Sequence, residues 1–183
     1  MKFLIFSVIV ISIIGTLSHF LYDISHHNKI VGLFAAVNES IWEHVKIALT
    51  PTLLWGLIDG YIYGTNANYF FAKFVSLFVI VILMPILYYG HKALIKKEIL
   101  ILDIISFYVV IITSQYLFYL LLRIDTVPYI IQYLGCAGTF LLFGGYMIHT
   151  LMPAKSFLFK DPISNKYGYK GHTEEFCAKH DKK

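Results

Sequence analysis

NESIWEH, residues 38–44, is a polar, ionisable run that leads directly into a long apolar stretch. The stretch, residues 40–58, is long enough for a membrane helix, because about 20 residues cross a hydrocarbon core about 30 Å thick. Ionisable side chains are costly inside a bilayer, so they are expected at its surface or turned toward the protein interior. The heptad therefore predicts a membrane helix with a polar end that is a candidate for function.

The rest of the chain has the composition of a membrane protein. It has 183 residues, of which 58% are hydrophobic and 14% are charged, whereas a soluble domain is about half apolar and a quarter charged. The hydrophobic runs predict an all-α transmembrane bundle of about five spans, with one short interfacial segment. The spans are residues 3–22, 40–58, 69–89, 99–122 and 129–151, and the interfacial segment is residues 30–37.

The ends of the chain differ in character. Residues 1–154 are expected to form the transmembrane domain, and residues 155–183 a polar tail that is only partly ordered. Within the last span, the small residues Gly135, Gly138, Gly144 and Gly145 predict positions where a neighbouring helix approaches closely. Cys136 falls in that span and Cys177 in the tail, so no disulfide between them is expected.

The distribution of Lys and Arg predicts the orientation. With five spans, twelve of the 15 Lys and Arg residues fall on the side of the C-terminus. The positive-inside rule then places the N-terminus outside and the tail in the cytoplasm of a multi-pass cell (inner) membrane protein. Lys2, before the first span, favours the opposite orientation. No basic helical stripe suited to nucleic acid is present, and the lipid bilayer is the expected partner.

Five spans bring the ionisable residues to one end of the bundle. We expect His19, Asp23, His91 and His149 to be metal ligands, Glu39 and Glu43 to be candidate general bases, and Asn38, Trp42 and His44 to be further members of the site. Imidazole nitrogens and carboxylate oxygens from several helices suit a divalent metal such as zinc. The same side chains are equally typical of a proton relay or a cation-binding vestibule.

A structural interpretation competes with the functional one. Ser40-x-x-Glu43 has the pattern of a capping box, in which both side chains satisfy free N–H groups of a helix start. Glu43 and Lys46 are spaced to pair along one helix face, and Trp42 is an expected interface anchor. Sequence motifs of zinc proteases, serine hydrolases and phosphate loops are absent.

Several segments carry a resemblance. SHFLYD (residues 18–23), NxIVGLFxAVNESIWEH (residues 28–44) and Gly90–His91 resemble a family of small bacterial integral membrane proteins of unknown function. The resemblance extends through His149, and NES-x-WEH is its most specific part. It implies about five helices and no known activity.

A second similarity is to the ceramidase-like and adiponectin-receptor-like membrane hydrolases. Those proteins gather Ser, His and Asp around a zinc ion at one membrane face, and Ser18, His19 and Asp23 would be the counterparts here. The chain departs from that pattern in having about five spans instead of seven and no late HxxxH pair.

Three functions remain open from the sequence. The first is a metal-dependent membrane hydrolase acting on a lipid-like substrate. The second is a small proton-coupled transporter that uses the same residues for proton exchange. The third is a non-catalytic accessory subunit, whose polar residues cap helices and support assembly.

Overall fold

The computed structural model describes residues 2–96 and 99–171, and its regular elements are helices. They are α1 (Lys2–Ile24), α2 (Lys29–Gly32), α3 (Ile41–Tyr63), α4 (Tyr69–Ile95), α5 (Leu100–Leu121) and α6 (Tyr129–Leu151). The all-α prediction is confirmed. Cys177, His172, His180 and the last three lysines lie outside the described residues.

Four helices, α1, α4, α5 and α6, are long and apolar enough to cross a membrane. The predicted second span is α3, which is as long as α1 but carries Glu43, Lys46 and Asp59. These three residues are 2%, 0% and 0% exposed. The charged side chains of α3 are therefore enclosed by the other helices and are shielded from lipid, as expected for ionisable groups in a membrane protein.

The helices pack around α3 and α4. Helix α4 contacts α3, α5 and α6, while α1 packs against α3 and α5. One apolar cluster joins all five long helices and includes Ile11, Leu49, Leu77, Ile111 and Tyr146. Successive long helices therefore run in alternate directions, and the end of α1, the start of α3 and the end of α6 meet at the same end of the bundle.

Small residues set the closest approaches between helices. A Cβ atom added to Gly15 would lie 2.7 Å from the carbonyl oxygen of Ile47. That carbonyl has no donor one turn later in α3, because Pro51 lacks an N–H group. The main chains of α1 and α3 can therefore pack closely at this point.

The glycines of α6 divide into two groups. A Cβ atom on Gly135 would lie 2.7 Å from the carbonyl oxygen of Phe70, and one on Gly138 would lie 2.5 Å from the Phe74 ring. The predicted close approach is confirmed at these two positions. It is wrong at Gly144 and Gly145, since nothing lies within 4 Å of a Cβ atom there. Among these four glycines, the close approach to α4 is confined to the first half of α6.

Residues 153–171, which the sequence alone leaves as a loosely ordered tail, fold back over the start of α3; we call them the C-terminal cap. The amide nitrogen of Trp42 donates to the carbonyl of Leu158 at 2.9 Å. The Tyr169 hydroxyl donates to the carbonyl of Lys29 at 2.8 Å. Asp161 is fully buried. The cap is held by hydrogen bonds to main-chain groups, which composition does not reveal.

Candidate functional site

Helix α3 begins without a capping box. Ser40 is the N-cap residue, but its side chain makes no capping hydrogen bond. The Glu43 carboxylate accepts instead from the amide nitrogen of Val37 at 3.0 Å, and it pairs with the ammonium of Lys46. The capping-box interpretation is therefore wrong, while the predicted pairing of Glu43 with Lys46 is confirmed.

The buried Glu43–Lys46 pair connects three parts of the fold. The Lys46 ammonium donates to the carbonyl oxygen of Gly32 at 2.8 Å and to the Thr150 hydroxyl at 3.3 Å. It therefore ties α3 to the connection that follows α1 and to the end of α6. A buried ion pair is tolerated when its remaining donors and acceptors are satisfied, and here the polar groups around the pair meet that condition.

Beside this pair lies a cluster of three partly exposed side chains, His19, Glu39 and His44. One ligand atom from each lies within 4.8 Å of the other two. A Glu39 carboxylate oxygen is 3.7 Å from Nε2 of His19 and 3.8 Å from Nε2 of His44. The side chains are 32%, 35% and 24% exposed, in that order. Among the described residues, this is the group of His, Cys, Asp and Glu side chains whose spacing suits a metal ion.

Each member of the cluster is positioned by a different element. His19 lies near the end of α1, and His44 lies in the first turns of α3. Glu39 precedes α3, and its amide nitrogen donates to a carboxylate oxygen of Asp161 in the C-terminal cap at 3.0 Å. The cap therefore fixes the backbone from which the Glu39 side chain reaches the two imidazoles.

The His44 ring has a defined tautomer. Its Nδ1 lies 3.0 Å from the carbonyl oxygen of Ser40. A carbonyl can only accept, so Nδ1 carries the proton and Nε2 faces Glu39. Histidines that bind metals commonly donate their second ring nitrogen to a main-chain carbonyl in this way. Nε2 of His44 is therefore the ring nitrogen that is available to bind a metal ion.

The structure does not gather the four predicted metal ligands. Only His19 belongs to the three-residue cluster. Asp23 pairs with His27 at 3.3 Å, and His91 pairs with Asp103 at 3.2 Å. These residues were expected to group with His19 because all lie near the same end of the bundle. Instead, Asp23 pairs with a residue one turn further along the chain, and His91 of α4 pairs with Asp103 of α5.

His149 takes part in a stack of rings. Its Nδ1 donates to the carbonyl of Gly145 at 2.7 Å. The ring stacks on Phe159 with centroids 5.1 Å apart and lies 5.4 Å from the ring of Trp42. Trp42 and His149 therefore hold the C-terminal cap against the end of α6.

Asn38 also binds the C-terminal cap. Its side-chain oxygen accepts from the amide nitrogen of Ser40 at 2.8 Å, and its amide group donates to the carbonyl of Gly168 at 2.9 Å. Asn38 is 5% exposed. The polar heptad thus combines cap-binding residues (Asn38, Trp42), a buried ion pair (Glu43) and two members of the cluster (Glu39, His44).

From the sequence, His44 was expected to be a further member of the site and Glu39 a general base, and neither was expected to be a metal ligand. Glu39 and His44 are five residues apart, which is not a helical neighbour spacing. They meet because Glu39 lies in the non-helical segment before α3. Spacing along the chain could not have shown this.

A family model described as a family of unknown function (DUF6512) matches residues 1–169. The chain belongs to this family. The match includes the heptad, all three members of the cluster and nearly all of the C-terminal cap. No curated protein and no solved structure matches the chain. The similarity to ceramidase-like hydrolases stays a prediction.

Proposed function

We propose that this membrane protein binds a divalent metal ion through Nε2 of His19, a carboxylate oxygen of Glu39 and Nε2 of His44. The single observation that carries the proposal is the convergence of these three ligand atoms within 4.8 Å. Two imidazoles and one carboxylate are a ligand set typical of catalytic zinc and of non-haem iron.

The separations between the Glu39 oxygen and the two imidazole nitrogens are close to those of a metal site. Two ligand atoms that bind one zinc ion at about 2.1 Å in tetrahedral geometry lie about 3.4 Å apart. The two measured separations to the Glu39 oxygen are 3.7 and 3.8 Å. A contraction of a few tenths of an ångström would bring both imidazole nitrogens to ligand spacing from the Glu39 oxygen. The two imidazole nitrogens, which lie within 4.8 Å of each other, would close by up to about 1.4 Å through side-chain rotation.

The number of ligands found among residues 2–96 and 99–171 favours a hydrolytic role over a structural one. Structural zinc sites are closed by four protein ligands, whereas catalytic sites keep one position for water or substrate. A metal ion held by three ligands would supply a Lewis acid and an activated water. In this proposal Glu39 is a ligand. Glu43 supports the site from the buried ion pair, because its carboxylate is 2% exposed and already holds Val37 and Lys46.

The surroundings favour a lipid-like substrate. The cluster lies near the end of α1, a membrane-span candidate, and the α1 residues beside it present apolar side chains outward. Leu17 is 61% exposed and Phe20 is 55% exposed. A substrate with an apolar chain could approach along this surface and present a polar head to the cluster.

The proposal includes the cytoplasmic side of the cell membrane as the location of the site. Exposed lysines of the described residues concentrate at this end of the bundle, including Lys29, Lys96, Lys160 and Lys170. The positive-inside rule therefore orients it inward. A cysteine in place of Lys160, in a chain that lacks the two native cysteines, should resist a membrane-impermeant thiol reagent in intact cells. Labelling in intact cells would reverse the orientation.

The metal content of detergent-purified protein tests the proposal directly. We expect about one zinc or iron per chain, and its loss in His19→Ala and His44→Ala. His27→Ala is the matched control, because it removes an imidazole that pairs with a carboxylate at the same end of the bundle. It should leave the metal content unchanged.

Two results would contradict the proposal. One is wild-type protein that binds no zinc or iron from buffered solution while it remains folded by circular dichroism. The other is equal metal loss in the His27 control. Release of fatty acid from fluorescent phospholipid and ceramide analogues then tests hydrolysis separately. If the metal-bound protein is inactive on these probes, the proposed metal site stands and the proposed hydrolase activity is rejected.

A further inference from the structure

A cavity lies between the end of α6 and the C-terminal cap, at the end of the bundle that carries the cluster of His19, Glu39 and His44. It has a volume of about 580 Å³. Its polar lining comes from three lysines and three further cap residues, namely Lys155, Asn165, Lys166, Tyr167, Tyr169 and Lys170. The three lysines are exposed. This basic pocket shares no residue with the cluster of His19, Glu39 and His44.

Polar contacts shape the loop that carries Asn165 and Lys166, two lining residues of the basic pocket. The Asp161 carboxylate accepts from the amide nitrogens of Glu39 at 3.0 Å and Ser164 at 2.6 Å. The side-chain oxygen of Ser164 then accepts from the amide nitrogen of Lys166 at 3.3 Å. Asp161 is fully buried, so its charge is used to shape the loop and is not presented to the pocket.

A tight turn at Gly168 forms part of the wall of the pocket. Gly168 has φ +57°, and an added Cβ atom would lie 3.2 Å from Pro153 and 3.4 Å from the carbonyl of Thr150. Only glycine adopts this conformation readily. The close fit places Tyr167 and Tyr169 on either side of the turn, at the wall of the pocket.

Apolar side chains border the pocket. Leu151, which lines it, is 58% exposed, and its neighbour Met152 is 76% exposed. Exposed apolar side chains next to a membrane-span candidate are suited to contact with lipid. Because they continue the outer surface of α6, a membrane-span candidate, the basic pocket lies where the hydrocarbon surface meets the polar end.

We propose that the basic pocket binds the phosphate headgroup of an anionic phospholipid. Lysine ammonium groups and tyrosine side chains at this depth suit a phosphodiester, and the apolar border gives the acyl chains a path along α6. A soluble phosphate compound would contact the same lysines but would make no contact with the apolar side chains of Leu151 and Met152. The exposed apolar border therefore favours the lipid.

Titration of purified protein in detergent with short-chain phosphatidylglycerol or phosphatidylcholine tests the site. Each lysine near an anionic lipid contributes about fivefold in affinity. Replacing Lys155, Lys166 and Lys170 together with Gln should therefore weaken phosphatidylglycerol binding by roughly a hundredfold. Phosphatidylcholine should bind weakly to both proteins.

The matched control replaces Lys92, Lys96 and Lys160 with Gln, which removes the same charge from the same end of the bundle. It should retain most of the affinity. Equal weakening in both triple variants would show general attraction by net charge and would overturn the pocket. Unchanged binding in the first variant, with the wild-type circular dichroism spectrum, would also overturn it. Inorganic phosphate that displaces phosphatidylglycerol at equal concentration would identify a soluble anion as the ligand and reject the lipid.

Discussion

Removal of one member of the buried Glu43–Lys46 pair should strongly destabilise the fold. Lys46 is fully buried, and its ammonium contacts the Glu43 carboxylate and the carbonyl of Gly32. Lys46→Met leaves the carboxylate buried with the amide nitrogen of Val37 as its hydrogen-bond donor. An uncompensated buried charge costs about 3–5 kcal/mol, so we expect a loss of that size in the free energy of unfolding.

The double variant Glu43→Gln with Lys46→Met should lose less than Lys46→Met alone. The Gln carbonyl still accepts from Val37, no buried charge remains, and the main deficit is the carbonyl of Gly32 without its donor. A buried acceptor in that state costs about 1–3 kcal/mol. The exposed control Lys160→Met should change the stability by less than about 0.5 kcal/mol.

The measurement is unfolding in mixed micelles with increasing sodium dodecyl sulfate, followed by far-ultraviolet circular dichroism. The reasoning is refuted if Lys46→Met costs less than about 1 kcal/mol, far below the cost of an unpaired buried charge. It is also refuted if the double variant is less stable than Lys46→Met. Either result would mean that the pair is hydrated or that the carboxylate is protonated in the folded state.

Three further predictions concern other contacts. Gly135→Ala should destabilise by about 2 kcal/mol, because its Cβ atom would lie 2.7 Å from the main chain of α4; Gly144→Ala, with open space, should be neutral or stabilising in the same unfolding assay. Asn38→Ala leaves a buried carbonyl of the C-terminal cap without its donor, so proteolysis within the cap should accelerate while the helices stay intact. Burial, followed by the charges of neighbouring groups, raises the pKa of Tyr169 from 10.0 to about 12. Because the neutral form is favoured in the folded state, the stability from Tyr169 is present below pH 10 and is lost as the pH rises toward 12. Tyr169→Phe should lose less stability over that interval, and equal losses would contradict the shift.

The helices could be predicted from the sequence because their cause is local. A run of about 20 apolar residues excludes other backbone states in a bilayer, since every main-chain N–H and C=O group must be satisfied within the segment. The same reasoning found the heptad, whose charges mark one end of α3. It also found the i, i+3 pair of Glu43 with Lys46, because helical neighbours are set by the chain itself.

Contacts between segments that are distant in the chain were harder to predict from the sequence. Four glycines of α6 have the same sequence signal, yet only Gly135 and Gly138 contact α4. Ser40 and Glu43 have the pattern of a capping box, yet the acid is drawn to a buried lysine and to the amide of Val37. In both cases a local pattern allows two outcomes, and packing against another element selects one.

By itself the sequence determined a helical membrane protein with ionisable residues collected at one end. Only the tertiary structure decided which of them meet. Glu39 reaches His19 and His44 because α1 packs against α3 at Gly15 and because Asp161 of the C-terminal cap holds the backbone of Glu39. Asp23, His91 and His149 lie at the same end but find nearer partners. A side chain is a few ångströms long, so it can contact only the residues that helix packing places next to it. That packing depends on contacts between residues distant in the chain.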